Sequence, residues 1–133
     1  MVKSSRKTAG RRRPLRSLRV SESFHRFALD QLSSVADLVA KPMFGGFGLY
    51  AGDAFFGILA ADVLYLKVDD SNRADYEKAK AQPFSPFADG RVSMSYYAVP
   101  LSVLEASHTL TKWAERSIAI ARSSKKSSKR HKR

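Results

Sequence analysis

The feature that most constrains the fold is the segment at residues 43–50, which reads MFGGFGLY and places three glycines among large apolar residues. Such glycine clusters occur in loops that cradle a phosphate and in tight β-hairpins. A phosphate loop leads into the start of a helix, where backbone N–H groups face the anion. Here the segment leads into Ala51-Gly52-Asp53, which is typical of a turn between strands. It therefore predicts a hairpin, whose glycines admit a bulge or an aromatic ring lying against the backbone.

Short apolar blocks broken by turn residues predict three strands in this part of the chain, at about 42–50, 54–60 and 63–69. The turns between them fall at 51–53 and 61–62. In the last strand, apolar residues at 64, 66 and 68 alternate with Tyr65, Lys67 and Asp69. This alternation is typical of a half-buried antiparallel strand. Residues 91–99 alternate in the same way and predict a further strand, preceded by an irregular or edge segment around Pro86.

Helical periodicity precedes and follows these strands. Ser21 is suited to cap a first helix, because apolar residues recur behind it at 24, 27, 28, 32 and 35. Asp70-Ser71-Asn72 predicts the cap of a short polar helix that extends to about Ala81. The residues at 102–105 have the form of a capping box for a last helix, which residues 107–109 divide into a turn and a longer part.

The resulting order is α-βββ-α-(β)β-α. It predicts a two-layer α+β domain with an antiparallel sheet of about four to five strands and its helices on one face. We expect this domain to occupy residues 20–121, between a disordered basic extension at 1–19 and a disordered basic tail at 122–133. Because a valine codon can also start translation in bacteria, a start at Val20 stays open as an alternative.

The charge of the chain is divided unevenly along its length. The formal net charge of +12 would suggest a nucleic-acid-binding surface if it were spread over the fold. The first 19 residues, however, carry eight basic side chains and no acidic one, and the last 12 carry seven and none. The 102 residues between hold nine basic and twelve acidic side chains, a net charge of −3. Only the ends are strongly basic, and weak contact with nucleic acid and simple solubilisation are equally favoured for them.

The basic ends predict non-specific contacts with DNA or RNA phosphates. The residues expected to make them are Arg11, Arg12, Arg13, Arg16, Lys125, Lys126, Lys129 and Arg130. Neither end contains an aromatic residue on which a base would stack, so the ends alone do not predict sequence-selective recognition of single strands.

No residue pattern indicates a catalytic, metal or cofactor site. The chain has no cysteine, and His25, His108 and His131 lack a partner at the spacing of metal ligands. We therefore expect no catalytic residue, no metal and no cofactor. The least favoured alternative is a small enzyme with a pocket near Tyr65, Tyr96 and His108. No apolar run is long enough for a membrane span, and we expect a cytoplasmic protein without membrane contact.

Taken together, several short motifs in a fixed order resemble the N-terminal domain of the TfoX/Sxy family over about residues 21 to 121. They comprise Met43, Phe44, Gly45, Gly46, Gly48, Leu49 and Tyr50, Phe56-Gly57-Ile58-Leu59, Leu64-Tyr65-Leu66-Lys67-Val68-Asp69, Pro83, Phe84, Pro86 and Phe87, Met94-Ser95-Tyr96-Tyr97, Val99 and Pro100, and Trp113-Ala114. No single motif is specific, whereas the ordered set is.

The resemblance implies an α+β domain and a bacterial regulator. Known members regulate natural competence as coactivators with the cyclic-AMP receptor protein, and they carry a second, C-terminal domain that would have no counterpart after Ala121. The family supplies no established catalytic residue. The resemblance therefore implies a non-enzymatic regulatory domain with a protein partner in the transcription machinery. A protein-docking module unrelated to competence is the alternative, and the oligomeric state stays open.

Overall fold

The computed structural model of the chain describes residues 17–85 and 92–131. Four helices and six strands occur in this part of the chain. In chain order they are α1 (Glu22–Gln31), β1 (Leu38–Met43), β2 (Gly46–Ala51), β3 (Ala54–Ala60), β4 (Val63–Lys67), α2 (Arg73–Lys78), β5 (Pro83–Phe84), β6 (Ser93–Ala98), α3 (Leu101–Leu104) and α4 (Ser107–His131).

The strands form one antiparallel sheet in the order β1-β2-β3-β4-β6-β5, which confirms the predicted α+β class. The sheet has six strands, slightly more than the four to five predicted. One additional strand is β1, which begins at Leu38 and pairs with β2 across the turn in the glycine segment. The irregular segment predicted before the last strand contributes the two-residue edge strand β5, while Pro86 lies outside the described residues.

Two-residue turns join the first four strands into a meander. Phe44 and Gly45 connect β1 to β2, and both have positive φ, at 51° and 91°. Ala61 and Asp62 connect β3 to β4 with φ of 50° and 60°. Positive φ at both central residues is what matches such a turn to the twist of its strands. The hairpin prediction for the glycine segment is thus confirmed. The single strand predicted at 42–50 is wrong, because the turn at Phe44 and Gly45 divides it between β1 and β2. The apolar Phe44 gave no sign of a turn in the sequence.

All four helices pack on one face of the sheet, which we call the helix-covered face. Fully buried aliphatic residues from α1, from the strands and from α4 meet there, among them Leu32, Leu49, Leu66 and Leu110 at 0% exposure. Ser21 caps α1 as predicted, because its side chain accepts a hydrogen bond from the Phe24 N–H at 3.2 Å. Burial of this apolar surface is the main source of the stability of the fold.

The opposite face of the sheet carries no helix among the described residues, and we call it the helix-free face. Its buried centre consists of Ile58, Ala60, Tyr65 and Phe84 with Leu18, and partly buried Met43, Phe55, Val63, Tyr96 and Ala98 surround that centre. The face is therefore apolar as well, but it is richer in aromatic residues and less completely covered than the other.

The end of the basic N-terminal extension is ordered, in contrast to the disorder predicted for residues 1–19. Leu18 is buried on the helix-free face, and its carbonyl accepts a hydrogen bond from the Ala61 N–H at 3.1 Å. The Val20 N–H donates to the Gly45 carbonyl at 3.2 Å. Leu18 is thus the apolar residue that anchors the end of the extension on the fold. Residues 1–16 lie outside the described part of the chain.

The helix termini differ from the sequence prediction in three places. Pro100, rather than the predicted Ser102, is the N-cap residue of α3, and no side chain caps it. Asn72 precedes α2 without capping it, because its side chain bonds the Asp69 N–H and the Lys67 carbonyl. Helix α2 accordingly spans only 73–78 rather than extending to residue 81.

Helix α4 continues to His131, where the sequence analysis expected a disordered tail from residue 122. Residues 122–131 contain neither Gly nor Pro, and lysine and arginine are favourable in helices, so no residue stops α4 at Ala121. A break does separate α3 from α4, but it lies at Glu105 and Ala106, and the predicted residues 107–109 form the first turn of α4. No helix of the described residues has the length and apolar character required to cross a membrane.

Candidate functional site

The candidate site begins at Gly48 on the helix-free face. Gly48 pairs with Lys41 of β1 and with Ile58 of β3. A Cβ atom placed on Gly48 would lie 3.1 Å from Cε1 of Phe55 and 3.3 Å from Cε1 of Tyr50. Both rings therefore lie directly against the backbone of Gly48, as the glycine segment predicted. Because glycine has no side chain, both rings can pack directly against the backbone at this position.

Three aromatic residues form a continuous row across the sheet, which we call the aromatic row: Tyr50, Phe55 and Tyr96. The Tyr50 and Phe55 rings stack with centroids 5.0 Å apart at an interplanar angle of 26°. The Phe55 and Tyr96 rings are tilted at 41° with centroids 5.7 Å apart. Such contacts fix the ring positions beyond what burial alone would do. All three side chains stay partly exposed to solvent.

A lysine ammonium group lies over each tyrosine of the aromatic row. Nζ of Lys41 is 4.6 Å from the Tyr50 ring centroid, and Nζ of Lys67 is 5.1 Å from the Tyr96 centroid. Both distances are within the range of cation–π attraction. The surface thus combines flat π systems with positive charge at both ends of the row.

The hydroxyl of Tyr96 stays protonated at neutral pH. Burial raises the pKa of Tyr96 to about 12, and the charge of a neighbouring Tyr50 phenolate would act in the same direction. A protonated phenol can donate a hydrogen bond as well as accept one. The aromatic row therefore presents neutral rings, and its formal charge comes from the two lysines.

A shallow groove of about 290 Å³ separates the end of the aromatic row from helix α4. Its lining residues are Asp53, Ala54, Phe55, Lys67, Tyr96, Ala121 and Ser124. Asp53 contributes a carboxylate and Lys67 an ammonium group, so the formal charges of the lining cancel. Ser124 lies where the strongly basic part of α4 begins.

The two basic ends of the chain join the fold at opposite ends of the sheet, the first beside the β1–β2 and β3–β4 turns and the second beside the β2–β3 turn. Leu18 is anchored on the helix-free face, directly after the first group of arginines in the sequence. At the other end, α4 passes the groove and carries the second basic group. The predicted phosphate contacts at 11–16 lie outside the described residues, as do the side chains of those predicted at 125–130.

A second cavity, of about 170 Å³, lies between α2 and α4 on the helix-covered side. Its lining residues are Asn72, Asp75, Tyr76, Lys112, Trp113 and Arg116. The side-chain amide of Asn72 is buried and already bonded: its Oδ1 accepts from the Asp69 N–H, and its Nδ2 donates to the Lys67 carbonyl. Burial raises the pKa of Tyr76. Because this amide is bonded to the adjacent loop, the cavity is consistent with simple packing between the two helices.

The residues of the enzyme alternative are not brought together. Tyr65 is buried on the helix-free face against Phe84, with ring centroids 4.8 Å apart. Tyr96 lines the groove, whereas His108 is exposed in the first turn of α4, in the helix layer. Within the described residues, no group of three or more His, Cys, Asp or Glu side chains could hold a metal ion.

The fold distributes the remaining residues of the family resemblance over both faces of the sheet, the first turn, strand β6 and the start of α3. Met43, Gly48, Tyr50, Tyr65, Lys67 and Tyr96 lie on the helix-free face. Phe44, Gly45 and Gly46 form the first turn and its exit, Tyr97 and Trp113 pack on the helix-covered face, Ser95 is exposed in β6, and Pro100 precedes α3.

Sequence reasoning missed Phe55 and Lys41 as members of this surface. Phe55 was expected only as part of a strand, and Lys41 stood before the predicted strand. The available signal was the hairpin register, which places Tyr50 opposite Phe55 and Gly48 opposite Lys41. Because the single strand predicted at 42–50 left no turn at Phe44 and Gly45, the pairing of Lys41 with Gly48 stayed hidden.

Comparison with known proteins identifies a protein family that the chain matches. The family model described as the TfoX N-terminal domain matches residues 30–121 of the 133-residue chain. The match includes all six strands and therefore the whole aromatic row. A search of the curated proteins found no match to the chain.

Proposed function

The chain belongs to the TfoX N-terminal domain family, a family of regulatory and interaction domains that is not a known enzyme family, and we propose that it is a non-enzymatic transcriptional coactivator related to DNA-uptake competence. In this role the folded core contacts a protein of the transcription machinery, and the basic ends add non-specific affinity for nucleic acid. An in vitro transcription assay at a promoter that depends on the cyclic-AMP receptor protein tests the coactivator role, which predicts more transcript when the chain is added.

The observation that supports the nucleic-acid part is the separation of charge. The core is mildly acidic at −3, whereas fifteen of the 24 basic residues lie in the two ends. Lysine and arginine bind phosphates by releasing condensed counterions, which gives an affinity that falls steeply with salt. One end joins the fold at Leu18 and the other continues helix α4 past Ser124.

The test is duplex DNA affinity measured against salt, with the chain intact and its ends neutralised. The variant replaces Arg11, Arg12, Arg13, Arg16, Lys125, Lys126, Lys129 and Arg130 with Gln. The slope of log K against log salt should become shallower, since each phosphate contact contributes about −0.9 to it. Lys78→Gln with Lys80→Gln, two exposed positions of the core, is the control and should leave the slope unchanged. Equal slopes for all three proteins would refute the proposal.

A protein-docking module unrelated to competence is the second candidate. It is favoured by exposed apolar residues beside the outer edge of β1: Phe44 at the turn is 71% exposed and Val39 is 40% exposed. A purified transcription partner that binds equally well at low and high salt would favour docking over attraction by the ends. Loss of that binding in Phe44→Ser would locate it at this edge.

A further inference from the structure

We infer that the outer edge of β1 pairs with the same edge of a second copy of the chain, across a two-fold axis that passes beside Val39. The contact is antiparallel strand pairing, in which backbone hydrogen bonds supply the attraction and side chains fix the register. It joins two sheets into one continuous sheet. The inference goes beyond the proposed function, because it concerns a sheet edge and a partner that the coactivator role does not specify.

The first argument is that β1 forms a long, free edge of the sheet. In the described part of the chain β1 pairs with β2 alone, and its six residues contrast with the two of β5 at the other edge. No hydrogen bond from another described element reaches the backbone of Leu38–Met43. An edge with unpaired N–H and C=O groups is a template on which another strand can pair.

The hydrogen-bond pattern shows which backbone groups of β1 are free. The Gly52 N–H donates to the Asp37 carbonyl at 2.9 Å, so residue 37 directs its carbonyl toward β2. This orientation alternates along an antiparallel strand, and the N–H and C=O groups of Leu38 and Ala40 therefore face outward. Pro42 is the next outward residue, where its missing N–H costs no bond to β2.

The second argument is a register in which this edge is complementary to itself. In a pairing centred on Val39, Leu38 lies opposite Ala40 of the second copy, and each such pair exchanges both backbone hydrogen bonds. The two Val39 side chains face each other in a non-hydrogen-bonded pair, where cross-strand side chains are closest. Val39 is 40% exposed in the single chain, so the pairing buries apolar surface. Leu38 and Ala40, at the margin of the helix-covered core, extend that core across the axis.

The third argument is charge complementarity in the same register. Lys41 lies opposite Asp37 of the second copy, and the two-fold axis repeats this pair. Both residues are exposed, and opposite charges on facing positions of two strands attract. The Lys41 ammonium group lies over the Tyr50 ring in the single chain. Its flexible four-carbon stem lets it reach from that ring to a carboxylate beside β1.

Pro42 excludes the neighbouring register. Lysine and proline on an edge strand commonly prevent unwanted pairing. A shift that sets Leu38 opposite Pro42 leaves the Leu38 carbonyl without a donor, because proline has no N–H, and it places Val39 opposite Lys41. The register centred on Val39 needs no donor from Pro42. Because the contact uses the same edge of both copies, it closes as a dimer and does not propagate.

The first experiment is sedimentation velocity of the full chain, without nucleic acid, at concentrations up to about 1 mM, where even a weak dimer is populated. The wild-type chain should dimerise with a micromolar Kd, since paired edges form a small interface. Ala40→Pro removes an outward N–H and no bond to β2, so it should weaken the dimer about tenfold or more. Ala40→Ser, which retains the N–H, is the matched control and should dimerise as the wild type does.

The second experiment exchanges the charges. Lys41→Glu and Asp37→Lys each place like charges opposite one another in both pairs, and each should weaken the dimer about tenfold at low salt. An equimolar mixture of the two variants should dimerise again, because every cross pair is then of opposite charge. Asp37 has a φ of 59°, a value that Lys80 also adopts. Lys67→Glu is the control, because Lys67 also lies over a tyrosine ring but on the interior strand β4.

The third experiment reads the register by cross-linking. The chain has no cysteine, so a single introduced thiol reports on one position. With oxidised glutathione as the oxidant, Val39→Cys should form a disulfide between copies, because facing residues of paired strands lie at disulfide distance. Ala40→Cys should stay unlinked, since its counterpart is displaced along the strand. Val92→Cys, at an exposed valine ahead of β6, is the matched control.

Three results would overturn the inference. They are a monomer at every concentration, a dimer that neither Ala40→Pro nor the charge variants weaken, and a disulfide in Ala40→Cys but not in Val39→Cys. Circular dichroism of each variant separates loss of pairing from loss of fold, and the charge variants decide if Ala40→Pro does not fold. No DNA or transcription partner is present, so these results leave the proposed function untouched, and a failed transcription assay leaves the dimer untouched.

Discussion

The two faces of the sheet differ in chemistry although the same strands build them. On the helix-covered face, aliphatic side chains such as Leu49, Leu59 and Leu66 are fully buried. On the helix-free face, alternate positions of those strands carry half-buried aromatic rings in contact with lysine ammonium groups. The first arrangement buries more apolar surface, and the second keeps rings and charges partly in contact with water. The comparison indicates that the helix-covered face contributes most of the stability.

The largest effect on stability is expected from a substitution on the helix-covered face. Leu66→Ala removes a fully buried side chain between the sheet and the helices, so the free energy of unfolding should fall by about 2–5 kcal/mol. Tyr50→Ala, on the other face, removes a larger side chain that is partly exposed already. Urea denaturation followed by circular dichroism measures both. A greater loss for Tyr50→Ala would contradict the division of roles.

A smaller effect on stability is expected at Gly48, on the helix-free face. Gly48→Ala places a methyl group against the Phe55 and Tyr50 rings, which must move by a few tenths of an ångström or more. We expect a loss of about 1–3 kcal/mol in stability, because the rings leave the backbone. Gly52→Ala is the control: its added Cβ meets no atom within 4 Å, so any loss there comes from its φ of +64° alone. Urea denaturation measures both variants, and unchanged stability in Gly48→Ala would contradict the close contact between the rings and the backbone.

The smallest effect is a pH dependence on the helix-free face. The pKa of Tyr96 is raised to about 12 by burial, above the usual value of about 10. The folded state therefore keeps a proton that the unfolded state loses, and stability should decrease as the pH rises from about 10 to about 12. Because the ring is partly exposed, Tyr96 contributes only on the order of 1 kcal/mol. Tyr96→Phe should lose less stability over this interval, and equal losses would contradict the shift.

The α+β class, most strands and the packing faces of α1 and α4 followed from hydrophobic periodicity, although Phe27 of the predicted apolar face of α1 is 40% exposed. Alternation at 64–69 placed Leu64 and Leu66 on one face and Tyr65 and Lys67 on the other, as the structure has them. The glycine segment also gave the correct motif, because its downstream residues lacked a helix start. These features depend on local sequence, which periodicity captures.

The aromatic row depends instead on registers between strands that are distant in sequence. Tyr96 lies near Phe55 only because β6 pairs with β4, which leaves β5 at the edge of the sheet. Similarly, Leu18 was assigned to a disordered extension because local charge density outweighed a single apolar residue, whereas its partners Ile58 and Tyr65 lie far along the chain. Sequence periodicity identifies which face a residue occupies but not which residues become neighbours there.

The most direct test of the division between the faces uses the five tyrosines as internal probes. Fluorotyrosine is incorporated at all of them, each ¹⁹F resonance is assigned with a Tyr→Phe variant, and a soluble paramagnetic chelate is added. Tyr50 and Tyr96 belong to the aromatic row, whereas Tyr76 and Tyr97 are buried together on the helix-covered face. We predict that the resonances of the first pair broaden as the chelate concentration rises, because their rings are open to solvent, while those of the second pair stay sharp. Equal broadening of all four resonances would contradict the account.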